Sequence, residues 1–190
     1  EFKTFTDLGK DAKPPPDHLK ICVHFVFAVK HDGRHKAHLV ADGHLTDTPL
    51  DSVYSGVVSL RSLRIVIFLA ELNDLELYGA DVSNAYLEAE TREKVYIIGG
   101  LGFGELQGHT LLIHKALYGL KSSGKRWHEK LFDILRAMNF TPSKADSDVW
   151  YRRINDAYEY IAVYVDDLAI ASQQPGKIID ELTTQFALKL

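Results

Sequence analysis

The sequence predicts an α+β fold built around an antiparallel sheet. Three features point that way. Apolar, β-prone runs flank Asp32-Gly33 and again Asn155-Asp156, and short turns of this kind join antiparallel neighbours. Helical patterns are intermixed with the strands and do not follow each one in turn, as a doubly wound parallel sheet would require. No segment recurs at a fixed period, so a repeat architecture is not indicated.

The elements follow in chain order. Residues 1–20 are polar, carry Pro14-Pro15-Pro16, and read as an irregular or extended lead-in. Ile21 to Val29 is strongly β-prone, Asp32-Gly33 supplies a turn, and Lys36 to Ala41 is its partner. Ser59 to Leu72 is a helix, with Leu60, Leu63, Ile67 and Ala70 at helical spacing and Ser59 placed to cap its start. Leu75 to Val82 is an extended run that ends on Asp81, and Ser83 to Glu90 opens a helical turn. Lys94 to Ile98 and Thr110 to Lys115 are strands around a loop carrying Gly99, Gly100, Gly102 and Gly104. Ser123 to Met138 is the clearest helix, with Trp127, Leu131, Ile134 and Met138 forming one stripe suited to core packing. Asp148 to Arg153 and Tyr158 to Val165 form a second hairpin, and Leu168 to Ala171 continues as a strand. Pro175 starts a last helix with Ile178, Ile179, Leu182 and Phe186 on one face.

A chain of 190 residues, 46% apolar and 25% charged, suits one domain or two small subdomains sharing a core, and excludes disorder as the default. The single Cys22 rules out an internal disulfide and leans towards an intracellular setting. The longest apolar runs, such as Ile65 to Ala70, are too short to span a bilayer, so no membrane partner is expected. A net charge of −4 argues against a general nucleic-acid binder. The charge is segregated, however. Lys115, Lys121, Lys125, Arg126 and Lys130 crowd one stretch, extended by Arg136, while acids concentrate between Glu71 and Glu93. Such a stretch can line a basic groove or simply solvate a helix face.

The chemistry centres on Asp166-Asp167, which interrupt two β-rich runs without Gly, Pro or Asn. Tight hairpin turns favour residues that tolerate positive φ, so backbone strain is expected here. By itself the pair also fits a polar surface turn. Asp81 ends a hydrophobic run in the same style, and if the two runs are neighbouring strands, three carboxylates meet at one end of a sheet. Close acids repel one another, and a divalent cation removes that penalty. Oxygen-only ligands suit Mg²⁺ or Mn²⁺, and two such ions can activate an attacking oxygen and stabilise a leaving one. The nine histidines form no His-Glu-x-x-His zinc-protease motif, and neither a phosphate-binding Gly-Lys loop nor a serine-hydrolase elbow is present.

These residues carry a resemblance. Tyr164-Val165-Asp166-Asp167 resembles the Tyr-x-Asp-Asp box of reverse transcriptases. Asp81-Val82-Ser83-Asn84-Ala85-Tyr86-Leu87 is similar to the copia-type form of their first catalytic motif. Ala116-Leu117-Tyr118-Gly119-Leu120-Lys121-Ser122-Ser123-Gly124 with Trp127 resembles a segment peculiar to copia-like retrotransposons. Lys36-Ala37-His38-Leu39-Val40-Ala41-Asp42-Gly43 is similar to their fingers strand, which has Arg where His38 stands. The motifs come in the family's order from about residue 25 onwards.

The resemblance implies a right-hand polymerase palm with β-rich fingers. Residues 1–20 would lead in, and 21–190 would form fingers and palm, with fingers at 21–75 and in part of 95–125. The chain would stop at the start of the thumb, with thumb and RNase H absent. It implies an RNA- and DNA-directed DNA polymerase working with two Mg²⁺ or Mn²⁺ ions on an RNA template, a DNA primer and dNTPs. Asp81 and Asp166 would be the main metal ligands, Asp167 the third catalytic carboxylate, and the Val82 carbonyl a further metal contact. Tyr86 would exclude a 2′-OH as a steric gate; its other role is that of a core tyrosine. Lys36 and His38 would lie near the triphosphate, and Tyr118, Gly119 and Lys121 would line the template and nucleotide pocket, with Gly119 letting backbone approach the base pair. Protease, integrase and RNase H parts of a polyprotein would be companions, in a cytoplasmic particle or the nucleus. Two other readings stand beside this one: a truncated relic that binds nucleic acid weakly without catalysis, and another two-metal palm enzyme such as a nucleotide cyclase. The segment Leu117 to Lys121 counts against the cyclase, which holds no template.

Overall fold

The computed structural model describes residues 2–29, 31, 33–43, 53 and 55–190. The chain is mixed α+β and divides into two compact units, Glu1–Tyr54 with Tyr86–Trp127, and Ser55–Ala85 with His128–Leu190.

The first unit holds strands β1 (Phe5–Lys10), β2 (Leu19–Lys20), β3 (Val23–Val29), β4 (His35–Ala41), β6 (Val95–Ile98) and β7 (His109–Ile113). Four of them form a sheet in the order β1-β7-β6-β2, antiparallel except for the β2–β6 pair. Strands β3 and β4 make a separate two-stranded ladder, as their sequence indicates; Asp32 of its turn lies outside the described residues. Ile21, Ala41, Val95, Ile97, Leu111 and Ile113 form the buried core. The lead-in is not irregular throughout: Phe5–Lys10 pairs with β7. Its period-2 pattern is hidden because the register shifts between Asp7 and Lys10, where Gly9 takes φ +100° and its amide donates to Asp7 Oδ1 at 2.8 Å. The glycine-rich loop after β6 forms a 3₁₀ segment, Leu101–Leu106.

The second unit is a six-stranded sheet. It contains β5 (Glu76–Val82), β8 (Thr141–Pro142), β9 (Val149–Ile154), β10 (Ala157–Tyr164), β11 (Asp167–Ser172) and β12 (Leu188–Lys189). Their order is β12-β5-β11-β10-β9-β8, and every pair is antiparallel. Helix α1 (Leu60–Leu72) packs on β5, β10 and β11 and so belongs to this unit, whereas the resemblance counts residues 21–75 as fingers. Its inward face is Val66 and Ala70 with Leu63, while Leu60 and Ile67 are exposed; helical spacing alone cannot choose between two apolar stripes on one helix. Small residues of the sheet, Ala162 and Ala171, receive it. Ile161, Leu168 and Ile170 alternate to the opposite face and are fully buried too. Helix α4 (Pro175–Thr183) packs on β5, β11 and β12 and buries Ile178, Ile179 and Leu182, as its pattern indicates.

The short α2 (Ala85–Glu88) and the long α3 (Ser123–Ala137) carry the chain across the boundary between the two units. The buried stripe of α3 runs through Trp127, Leu131 and Leu135, not through Ile134 and Met138, which are half-buried. Phe132 adds an edge-to-face contact with Trp150 at 4.6 Å. Ser59 caps α1 as expected, accepting from the Ser62 amide at 3.1 Å. Its own amide is held by Asp146 Oδ2 at 3.1 Å. Burial raises the Asp146 carboxyl, yet hydrogen bonds from Ser62, Ser59 and the Asp148 amide together draw it below its ordinary value.

Candidate active site

Strands β10 and β11 are joined by a two-residue turn. Tyr164 pairs with Asp167, so the turn residues are Val165 and Asp166, and Asp167 already belongs to β11. The strain expected at this turn is present, but on its valine: Val165 has φ +57°. A left-handed conformation costs an L-residue about 1–2 kcal/mol, and a β-branched side chain tolerates it worst. Positive φ at the first turn position only is the pattern of a type II′ hairpin, which ordinarily places Gly there.

Asp167 lies directly opposite Asp81 in the β11–β5 ladder. The Val82 amide donates to the Asp166 carbonyl at 2.8 Å, fastening the turn to β5. Val82 itself is buried. On its other side Asp81 is opposite Lys189 of β12, whose Nζ lies 3.4 Å from Asp81 Oδ1. Directly paired residues share a face of the sheet. Lys189, Asp81 and Asp167 therefore make a row across three strands, one cation beside two carboxylates. The Asp167 carboxyl sits above its ordinary value, through partial desolvation first and the charges of Asp166 and Asp81 next.

The three predicted carboxylates thus share one end of one sheet. The expected convergence on a metal is only half met: among the described residues no three His, Cys, Asp or Glu side chains are grouped to hold an ion. The physical reason is local. Asp81 has a cation of its own in Lys189, and like charges resist closer approach while no ion compensates them. The donors nonetheless fit a hard divalent ion in kind, being oxygens only and carrying negative charge that Asp167 registers as a raised pKa.

A second group of predicted residues assembles in the first unit. The Tyr86 and Tyr118 rings are 4.5 Å apart, and the His38 ring is 5.2 Å from Tyr118. Lys36, exposed, precedes His38 by two positions on β4 and so lies on the same strand face. Gly119 is required by backbone packing: at φ +92°, a Cβ there would meet the Ala41 carbonyl oxygen at 2.0 Å. The Ala41 amide donates to the Tyr118 carbonyl at 2.7 Å, locking this loop to β4. The lack of a side chain at Gly119 therefore admits the approach of two protein backbones, beside the approach to a base pair that the resemblance implies. Lys121 is half-buried. Arg126, counted with the basic stretch, is 6% exposed and is not available to line a groove.

Residues 7–190 match the family described as reverse transcriptase (RNA-dependent DNA polymerase). Over 189 residues the chain is 31% identical to the retrovirus-related Pol polyprotein from transposon RE1 of Arabidopsis thaliana, a match that covers 93% of this chain and 13% of that polyprotein. The chain belongs to the copia-like reverse transcriptases. It is likewise 30% identical over 179 residues to the retrovirus-related Pol polyprotein from transposon TNT 1-94 of Nicotiana tabacum, covering 87% of this chain and 13% of the relative. It is 30% identical over 197 residues to the transposon Ty1-BL Gag-Pol polyprotein of Saccharomyces cerevisiae, covering all of this chain and 11% of the relative. This reverse-transcriptase region therefore corresponds to a small part of each polyprotein it matches. No helix among its described residues is long and apolar enough to cross a membrane.

Sequence patterns alone did not single out Lys189. It follows Ala187-Leu188 in a two-residue strand too short to leave a periodic signal, and only the pairing with β5 reveals its partner.

Proposed function

We propose that this reverse-transcriptase region is the palm and fingers of an RNA- and DNA-directed DNA polymerase. Its second unit would be the palm and much of its first unit the fingers. The observation that carries the reading is the pairing of Asp167 with Asp81 beside the strained Val165-Asp166 turn. In the reaction a primer 3′-OH attacks the α-phosphate of a dNTP and pyrophosphate leaves.

Asp81 and Asp166 would hold Mg²⁺ or Mn²⁺, with the Val82 carbonyl as a further donor and Asp167 adding charge. When bound, such ions supply compensation for the negative charge on the attacking and leaving oxygens. The remaining roles fall to the chain's own side chains. Tyr86, backed by Tyr118, would present a rigid ring to the sugar and reject a 2′-OH by occupying its space. Lys36 and His38 would meet the triphosphate, and Lys121 a template phosphate. A histidine gives a weaker grip than the planar, bidentate guanidinium usual at that position.

The test is primer extension on an RNA template, with the chain joined to the segments that follow it in a polyprotein. Mn²⁺- or Mg²⁺-dependent extension that Asp166→Asn abolishes supports the reading. Folded protein that binds primer–template without extending it under any divalent ion would favour the inactive relic. A Tyr86→Ala variant that admits ribonucleotides, with Tyr86→Phe unchanged, would establish the gate.

A further inference from the structure

Asp81 is flanked on both sides in its own sheet row, by Asp167 on β11 and by Lys189 on β12. A carboxylate placed directly opposite another is destabilised, and one placed opposite a cation is stabilised. Lys189 Nζ is 3.4 Å from Asp81 Oδ1, close enough to neutralise part of its charge, and both side chains remain accessible, at 61% and 41% exposure. The strand that carries Lys189 is short, but its position is fixed. Phe186 is 3% exposed, the Ser83 amide donates to the Ala187 carbonyl at 2.9 Å, and Leu188 pairs with Val82. Lys130 Nζ lies over the Phe186 ring, 5.6 Å from its centroid. The backbone thus delivers an ammonium group to Asp81, while the long side chain leaves it free to swing away.

We propose that Lys189 is a tethered counter-cation for Asp81: it holds this carboxylate when no divalent ion is bound and must release it when one binds. The inference rests on the proposed role of Asp81 as a metal ligand. An intramolecular cation at the ligand competes with a diffusible one, so Lys189 raises the ion concentration at which the site fills. It also relieves the repulsion between Asp81 and Asp167 in the metal-free protein. Lys189 is in this sense a positioning residue, acting on Asp81 and not on substrate.

The experiment is Mn²⁺ binding followed by electron paramagnetic resonance of the free ion, without nucleotide or primer, in the parent, Lys189→Met and Lys189→Arg. Lys189→Met should bind Mn²⁺ about two- to fivefold more tightly, the scale of one exposed ion pair. Lys189→Arg, which keeps the charge, should bind as the parent does. The gain should shrink as salt rises, because exposed charges are screened. Without divalent ions Lys189→Met should melt lower than the parent, and added Mn²⁺ should raise its melting temperature by more. Asp166→Asn should remove Mn²⁺ binding in every background. Equal or weaker binding by Lys189→Met would overturn the counter-cation role while leaving the active site in place. Parent protein that binds no Mn²⁺, or binding that Asp166→Asn leaves intact, would overturn the active-site reading and this inference with it.

Discussion

Strand β10 ends in two turns of equal length and opposite character. At one end Asn155-Asp156 links it to β9, and at the other Val165-Asp166 links it to β11. Both turns put positive φ on their first residue, +55° at Asn155 and +57° at Val165. Asparagine tolerates that conformation and valine does not. Each turn carries an aspartate in its second position. Among the described residues Asp156 reaches Arg153, at 3.5 Å on the surface, whereas Asp166 is fastened to β5 through the Val82 amide and sits beside Asp81 and Asp167. One hairpin was free to choose its turn residue for comfort. The other keeps an unfavourable residue next to three acids, the combination on which the proposed active site rests.

Exchanging charge between the two turns should give the largest contrast. Asp166→Asn should lower primer extension by about a thousandfold or more, since compensation of charge by a bound metal is worth several kcal/mol in the transition state. Asp156→Asn should leave it unchanged in the same assay. Exchanging backbone preference comes next. Val165→Asn should stabilise the protein by about 1 kcal/mol and Asn155→Val should destabilise it by a similar amount, read as melting temperatures moving in opposite directions by about 2–4 °C. If both substitutions destabilise, the strain assigned to Val165 is not stored there.

A third test moves to the cap at which Asp146, in the loop before β9, holds the start of α1. Asp146→Ala should cost about 1 kcal/mol at neutral pH, through loss of its hydrogen bonds to Ser59 and the Asp148 amide. Its folded carboxyl is lowered, so the contribution is present above the unfolded value of about 4 and disappears as pH falls through the folded one. Melting curves of parent and variant should converge in acid. The smallest effect is expected at Asp167. With divalent ions removed, Asp167→Asn should raise stability slightly, by no more than the ~0.5 kcal/mol usual at exposed, solvent-screened sites. Added Mn²⁺ should then stabilise the parent more than the variant.

Much of this was legible in the sequence. The α+β class, the antiparallel pairing of the hairpins, the Ser59 cap and the buried face of α4 follow from local pattern, because each depends on neighbours within a few residues. The carboxylates were legible because Asp81 and Asp166-Asp167 end apolar runs in the same way. What was not legible depends on distant pairing. Phe5–Lys10 is a strand only because β7 receives it around a bulge, Gly119 is crowded by Ala41, which lies 78 positions earlier in the chain and against it in space, and Lys189 matters only through a two-residue ladder with β5. The basic stretch misled for a related reason: composition counts Arg126 as surface charge, and packing places it inside.

The most direct measurement is anomalous diffraction from crystals of this region soaked in Mn²⁺. Density is expected at the turn end of the β5–β11 pair, within about 2.0–2.3 Å of carboxylate oxygens of Asp81 and Asp166, with the Lys189 ammonium turned away from Asp81. Crystals that bind Mn²⁺ elsewhere and leave these carboxylates without it, from protein that still extends primers, would contradict the assignment of catalysis to this end of the sheet.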